Sequence, residues 1–203
     1  MSIDYKNLLV AGLNLDIDYS RMAAELLAAQ TKAIAFSYNT DGMNEAVTAY
    51  SLFLRKSLIQ TEYSYRGAKS VDFGSCVWDS DLDIPYTQSI IDQLPYTNLG
   101  TVRVVYFPDV PCVAHTDWDD ATDTIHTLGL SIIPSTGNTH CNVWRERLQK
   151  FVSIPGNAML LNDSVKHEVP KADGLRITMR VFGEIDYKWF EDKIVPEHCY
   201  FLD

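Results

Sequence analysis

Two histidines and an aspartate set the first question about this chain. His115 and Asp117 stand as an H-x-D pair in "CVAHTDWDD", and His167 follows in "LLNDSVKHEVP", closing a 53-residue stretch. Two imidazoles and one carboxylate can occupy one face of an Fe(II) ion and leave the opposite face open for substrate and oxygen. Nine residues past His167 comes Arg176, in "GLRITMRVFG". A fixed cation at that distance is what a carboxylate-bearing cosubstrate would need.

These residues need strands to hold them, and the second half of the chain supplies the pattern. After Gly100 short apolar runs alternate with turn residues: "TVRVVYF", "IHTLGLSII", "HCNVW", "KFVSI", "AMLLN" and "RITMRVF". The breaks fall at Pro108 to Pro111, at 134–138, at Pro155-Gly156-Asn157 and at 171–174. Such a series predicts a sandwich or barrel. In the late strand, Arg176, Thr178 and Arg180 share one face, and Leu175, Ile177, Met179 and Val181 share the other. Alternation alone leaves open which face meets water. If amphipathic helices cover the apolar face from outside, the arginine face lines the interior.

The first half reads as helical support. "SRMAAELLAAQTKA" predicts a helix capped by Asp18 or Ser20. "MNEAVTAYSLFLRKSLI" predicts a second helix after the Asp41-Gly42 break, with Met43, Ala46, Val47, Tyr50 and Leu54 at helical spacing. "TQSIIDQL" predicts a third, starting at a Thr87 cap and ending before Pro95. The expectation is one domain over residues 1–203: helical support in 1–99, a strand core in 100–185 and an extension in 186–203.

Composition bounds the partners. The 203 residues are 46% apolar and 22% charged, enough for one substantial core. With 17 basic and 27 acidic residues the net charge is −10, and no Lys/Arg cluster is long enough to track a phosphate backbone, so nucleic acid is not expected as a partner. The N-terminal segment lacks the basic-then-apolar order of a signal peptide, and no run reaches membrane-spanning length. Cys76, Cys112, Cys141 and Cys199 lie far apart without C-x-x-C spacing. A reducing, cytoplasmic setting is the expectation.

In the order "YFPDVPCVAHTDW", "IPGNAMLLND", "KHEVP", "GLRITMR", residues 100 to 185 resemble the Fe(II)/2-oxoglutarate-dependent oxygenases, including their prolyl-hydroxylase-like branch. The resemblance implies a double-stranded β-helix (jelly roll) with helices on the outer face of its major sheet. It implies iron held by His115, Asp117 and His167, and a 2-oxoglutarate cosubstrate whose distal carboxylate pairs with Arg176. Thr178 then stands where members place a hydroxyl beside that arginine, and Tyr106 resembles a tyrosine aimed at the same carboxylate. Arg180, on the same face as Arg176, competes for the role. The implied reaction consumes O2, releases succinate and CO2, and hydroxylates a C–H bond of a small metabolite, amino acid or peptide residue. Asp117 favours hydroxylation over halogenation, since halogenating relatives carry a small residue there. Trp118, Trp144, Arg145 and Arg147 are candidates for substrate contact. His126 reads as a packed or edge histidine, His140 and Cys141 lack partners at ligand spacing, His198 reads as surface or terminus packing, and Asp119, Asp120 and Asp123 read as a solvated loop. Two other readings use the same residues: a cupin-like metalloenzyme that does not use 2-oxoglutarate, and a non-catalytic jelly-roll binding module.

Overall fold

The computed structural model of the chain describes residues 3–38, 47–58, 75–116, 128–134, 140–171 and 173–202. In chain order these form β1 (Leu8–Leu13), α1 (Tyr19–Ala29), β2 (Ile34–Tyr38), β3 (Val47–Ser57), β4 (Cys76–Trp78), α2 (Pro85–Asp92), β5 (Tyr96–Pro108), β6 (Cys112–His115), β7 (Leu128–Ile132), β8 (Cys141–Arg145), β9 (Lys150–Ile154), β10 (Ala158–Asn162), β11 (His167–Val169), β12 (Leu175–Ile185) and β13 (Ile194–Phe201).

Strands β5 to β12 pair as one long antiparallel hairpin coiled on itself. β8 pairs with β9 at its tip, then β7 with β10, β6 with β11 and β5 with β12. The coiling distributes these pairs over two sheets, in the order β13-β1-β10-β7-β12-β5-β3-β2 with β4 on β3, and β6-β11-β8-β9. The architecture is mainly β and jelly-roll-like. Between the sheets lies an apolar core that includes Val10, Ile133, Cys141, Val143, Ile154, Met159 and Leu161. A second buried cluster joins Val102, Val104, Tyr106, Ile177, Met179 and Val181 of the large sheet with Met22 and Leu26 of α1 and Ile91 of α2.

The first half does not form the expected helical layer. Its described residues supply β1 to β4, all in the large sheet, and two short α-helices. The predicted helix from Met43 is strand β3 over its described part. Ala49 and Leu54 are both fully buried although they point to opposite faces. Buried positions on both faces blur the strict alternation of a half-buried strand, and helical spacing can then arise within it. Pairing with β5 from Tyr50 to Arg55 decides the outcome.

The two helices that do form show how their ends are satisfied. Asp18 caps α1 by accepting from the Arg21 amide at 3.0 Å. α2 starts two residues earlier than predicted, with Pro85 in its first turn, and Thr87 lies buried inside it. Its leading amides, Tyr86 N and Thr87 N, donate to the Glu25 carboxylate of α1 at 2.8 and 2.7 Å. A carboxylate from another helix does the work that a local cap side chain does elsewhere.

One glycine in β12 is required by a close approach. Gly183 has φ +150°, and a Cβ there would lie 2.4 Å from the Asn98 carbonyl oxygen. Gly183→Ala should destabilise the chain by roughly 2–3 kcal/mol, combining backbone strain with overpacking. Gly174, at φ +94° with nothing within 4 Å of a Cβ, bears only the backbone part of that penalty. Thermal unfolding should therefore show a clearly larger drop in Tm for Gly183→Ala than for Gly174→Ala.

Candidate metal centre

His115 and His167 meet because β6 and β11 are antiparallel neighbours with these two residues directly opposite each other. His167 also stands opposite Val143 of β8, a fully buried member of the inter-sheet core, so both imidazoles project between the sheets. Their ring centroids are 4.5 Å apart with planes inclined at 53°.

Each ring is oriented by its own backbone. His115 Nδ1 lies 2.8 Å from the Val113 carbonyl oxygen, and His167 Nδ1 lies 2.8 Å from that of Val165. A carbonyl only accepts, so each Nδ1 carries a proton, and in the neutral ring Nε2 then keeps its lone pair. This tautomer, fixed by an outer hydrogen bond, is the one a metal ligand binding through Nε2 requires. The donor set thus fits a divalent cation of borderline softness. Asp117 lies outside the described residues, and among the described residues no group of three His, Cys, Asp or Glu side chains gathers as a metal site. The Cys112 sulfur packs against His115, 3.7 Å from Nδ1 and 4.0 Å from Nε2.

The cation on the opposing sheet is Arg176, on the face of β12 that turns away from the helices. Ile177, Met179 and Val181 bury their side chains in the cluster shared with α1 and α2, so Arg176, Thr178 and Arg180 face inward. Arg176 is 2% exposed. Its Nε donates to Thr178 Oγ1 at 3.2 Å, and its Nη1 donates to the His140 carbonyl at 2.8 Å, bridging the large sheet to the small one. Burial pushes its pKa down to about 10, with the nearby Cys141 and Cys112 sulfurs acting in the opposite direction. The guanidinium therefore remains charged at neutral pH, at a desolvation cost.

Three other expected residues lie elsewhere. Tyr106 pairs with Ile177, which places it on the apolar face of the sheet; its hydroxyl donates to the Leu26 carbonyl of α1 at 2.7 Å, and it is fully buried. It is a tie to the helix, turned away from Arg176. Tyr106→Phe should cost about 1 kcal/mol in denaturant unfolding, the worth of one hydrogen bond. Trp144 follows Val143 on β8 and so points to the other side of the small sheet. There its Nε1 donates to Glu146 at 2.7 Å, its ring packs edge-on to Phe151, and it lines a groove of about 510 Å³ with Thr116, Glu146 and Lys166 among others. Arg145 lies over the Tyr200 ring, 5.3 Å from its centroid.

Arg180 is not a second cosubstrate anchor. Its Nη2 makes a 2.6 Å ion pair with Asp163, whose side chain is 1% exposed. Asp163 was missed in the sequence, although a buried inward-facing arginine needs a partner; it stands at the end of β10, one strand beyond β12's neighbour β7. Trp118, His126, Asp119, Asp120 and Asp123 lie outside the described residues. His140 is exposed, with Nδ1 2.9 Å from Ser153 Oγ.

The sequence matches no family model and no curated protein. Solved structures do show similarity. One is an oxidoreductase of the 2OG-Fe(II) oxygenase family from Burkholderia pseudomallei, with 12% identity and a TM-score of 0.47, covering 79% of this chain and 77% of that one. Another is AviO1 from Streptomyces viridochromogenes Tue57, with 12% identity and a TM-score of 0.45 over 87% and 90% of the two chains. A third is a Pseudomonas putida prolyl-4-hydroxylase, with 14% identity and a TM-score of 0.43 over 89% and 93%.

Proposed function

We propose that this chain is an Fe(II)- and 2-oxoglutarate-dependent oxygenase that hydroxylates a C–H bond of a small metabolite, an amino acid or a peptide residue. The observation that carries the reading is the pair His115 and His167, opposed in register with both Nδ1 atoms near backbone carbonyls, together with the buried Arg176 on the inward face of the other sheet. In this reading His115 and His167 hold the metal through Nε2, and Asp117 is the third ligand. Arg176, fixed by Thr178 and the His140 carbonyl, holds the distal carboxylate of 2-oxoglutarate. Bound iron would supply oxygen activation and C–H oxidation, coupled to conversion of 2-oxoglutarate to succinate and CO2.

The protein's own contribution is placement and dryness. The apolar residues between the sheets exclude water around the histidines, and the two hydrogen bonds on Arg176 fix its fork before the cosubstrate arrives. The four cysteines are free thiols. Among the described residues no helix is long and apolar enough to cross a membrane.

The test is succinate release by purified protein with Fe(II), O2 and 2-oxoglutarate, screened over free amino acids and peptides. Stimulation by one substrate class, lost in Arg176→Met, supports the reading. Metal-dependent activity that survives Arg176→Met points instead to a cupin-like enzyme without 2-oxoglutarate.

A further inference from the structure

We infer that Arg180 and Asp163 are positioning residues for the metal centre, because their buried ion pair fixes the turn that sets the ring of His167. The inference rests on the functional reading above only for its consequence, metal affinity. Its geometric basis is independent.

β11 is three residues long and paired on both sides, and the ring of His167 takes its orientation from the turn that leads into it. The turn before it, 163–166, carries the Val165 carbonyl that accepts from His167 Nδ1. Within that turn Asn162 Oδ1 accepts from Ser164 N at 3.2 Å and from Ser164 Oγ at 2.6 Å, and Val165 N donates to the Asn162 carbonyl at 3.3 Å. These bonds give the turn its shape. Its position against the large sheet is set by Asp163, gripped by Arg180 of β12 at 2.6 Å with side chains 1% and 13% exposed.

Space for this grip is built into β7. Arg180 stands opposite Ser131, and a Cβ at Gly129 would lie 3.1 Å from Arg180 Nη2 and 3.7 Å from Nε. A side chain at 129 would press on the guanidinium. Stability alone is a poor account of the arrangement, since a buried ion pair gains little over an apolar pair of similar volume. What it supplies is a defined position for both partners. One strand, β12, then anchors the proposed cosubstrate cation at Arg176 and the metal-ligand turn at Arg180, about 13 Å apart along the same face.

The experiment uses the full chain and two variants. Asp163→Asn/Arg180→Met removes both charges together, because a single substitution would strand a buried charge. Gly129→Ala keeps both charges and displaces the guanidinium. In metal-free protein, at a pH about two units above the ordinary imidazole pKa, 15N–1H ring correlations of the wild type should show both His115 and His167 protonated on Nδ1. In each variant His167 should populate the Nε2-protonated tautomer while His115 does not change. Fe(II) or Co(II) affinity should fall about 10- to 100-fold in the double variant and by less in Gly129→Ala.

Variants that unfold as cooperatively as the wild type, keep His167 on the Nδ1 tautomer and bind metal within a factor of about two of wild type would overturn the inference. If the double variant fails to fold, Gly129→Ala decides by the same two readouts. A wild type that takes up no metal would defeat the functional reading, and the tautomer comparison would still decide the positioning role.

Discussion

His167→Ala is expected to eliminate specific Fe(II) uptake and all dependent turnover while leaving the two-sheet fold in place. Losing an outer partner of a metal-bound histidine already weakens binding about 10- to 100-fold, so losing the ligand itself should exceed that range. The structure makes His167 the more consequential of the two histidines. It is 4% exposed and sits on the middle of three neighbouring strands, paired with His115 on one side and Val143 on the other. Co(II) titration followed by absorption, with circular dichroism as the check on folding, separates loss of metal from loss of structure. His140→Ala is the control. Its exposed ring contacts Ser153, and only its backbone carbonyl meets Arg176, so metal affinity should not change.

Arg176→Met should weaken cosubstrate binding strongly without removing the metal. Truncating one partner of a buried charge-assisted pair costs about 2–5 kcal/mol, equivalent to roughly 30- to 5,000-fold in affinity. Arg176→Lys should recover only part of this, because a lysine cannot donate to Thr178, to the His140 carbonyl and to a carboxylate in one planar arrangement. The pH dependence follows from the direction of its pKa. The folded chain holds this proton less tightly than an exposed arginine does, so the cost of burying the charge is fully present below about pH 10 and is relieved as pH rises through it. Affinity for 2-oxoglutarate should be insensitive to Arg176 ionisation across neutrality and decline only above about pH 10. Isothermal titration of 2-oxoglutarate into metal-loaded protein at several pH values measures both effects.

How far the sequence revealed this site depends on which physical rule each residue obeys. Arg176 and Thr178 were legible because a strand alternates strictly, and the Arg176 Nε hydrogen bond to Thr178 Oγ1 is the direct outcome of that spacing. Tyr106 was misread because its distance from His115 says nothing of facing. Cross-strand register with Ile177 settles that question, and register is not written in either strand alone. Arg180 was misread because its partner Asp163 lies on a different strand's end, brought near only when β10, β7 and β12 align. Strand β3 was taken for a helix because burial on both faces blurs the period that tells the two apart. The Val113 and Val165 carbonyls, which orient both histidines, have no side-chain signature at all.

The most direct test of the central claim is anaerobic addition of Fe(II) and then 2-oxoglutarate to the purified chain, followed by visible absorption. A metal-to-ligand charge-transfer band that needs both additions, is absent in His167→Ala and requires far more 2-oxoglutarate in Arg176→Met is the predicted result. No band in the folded wild-type protein, or a band unaffected by Arg176→Met, would contradict it.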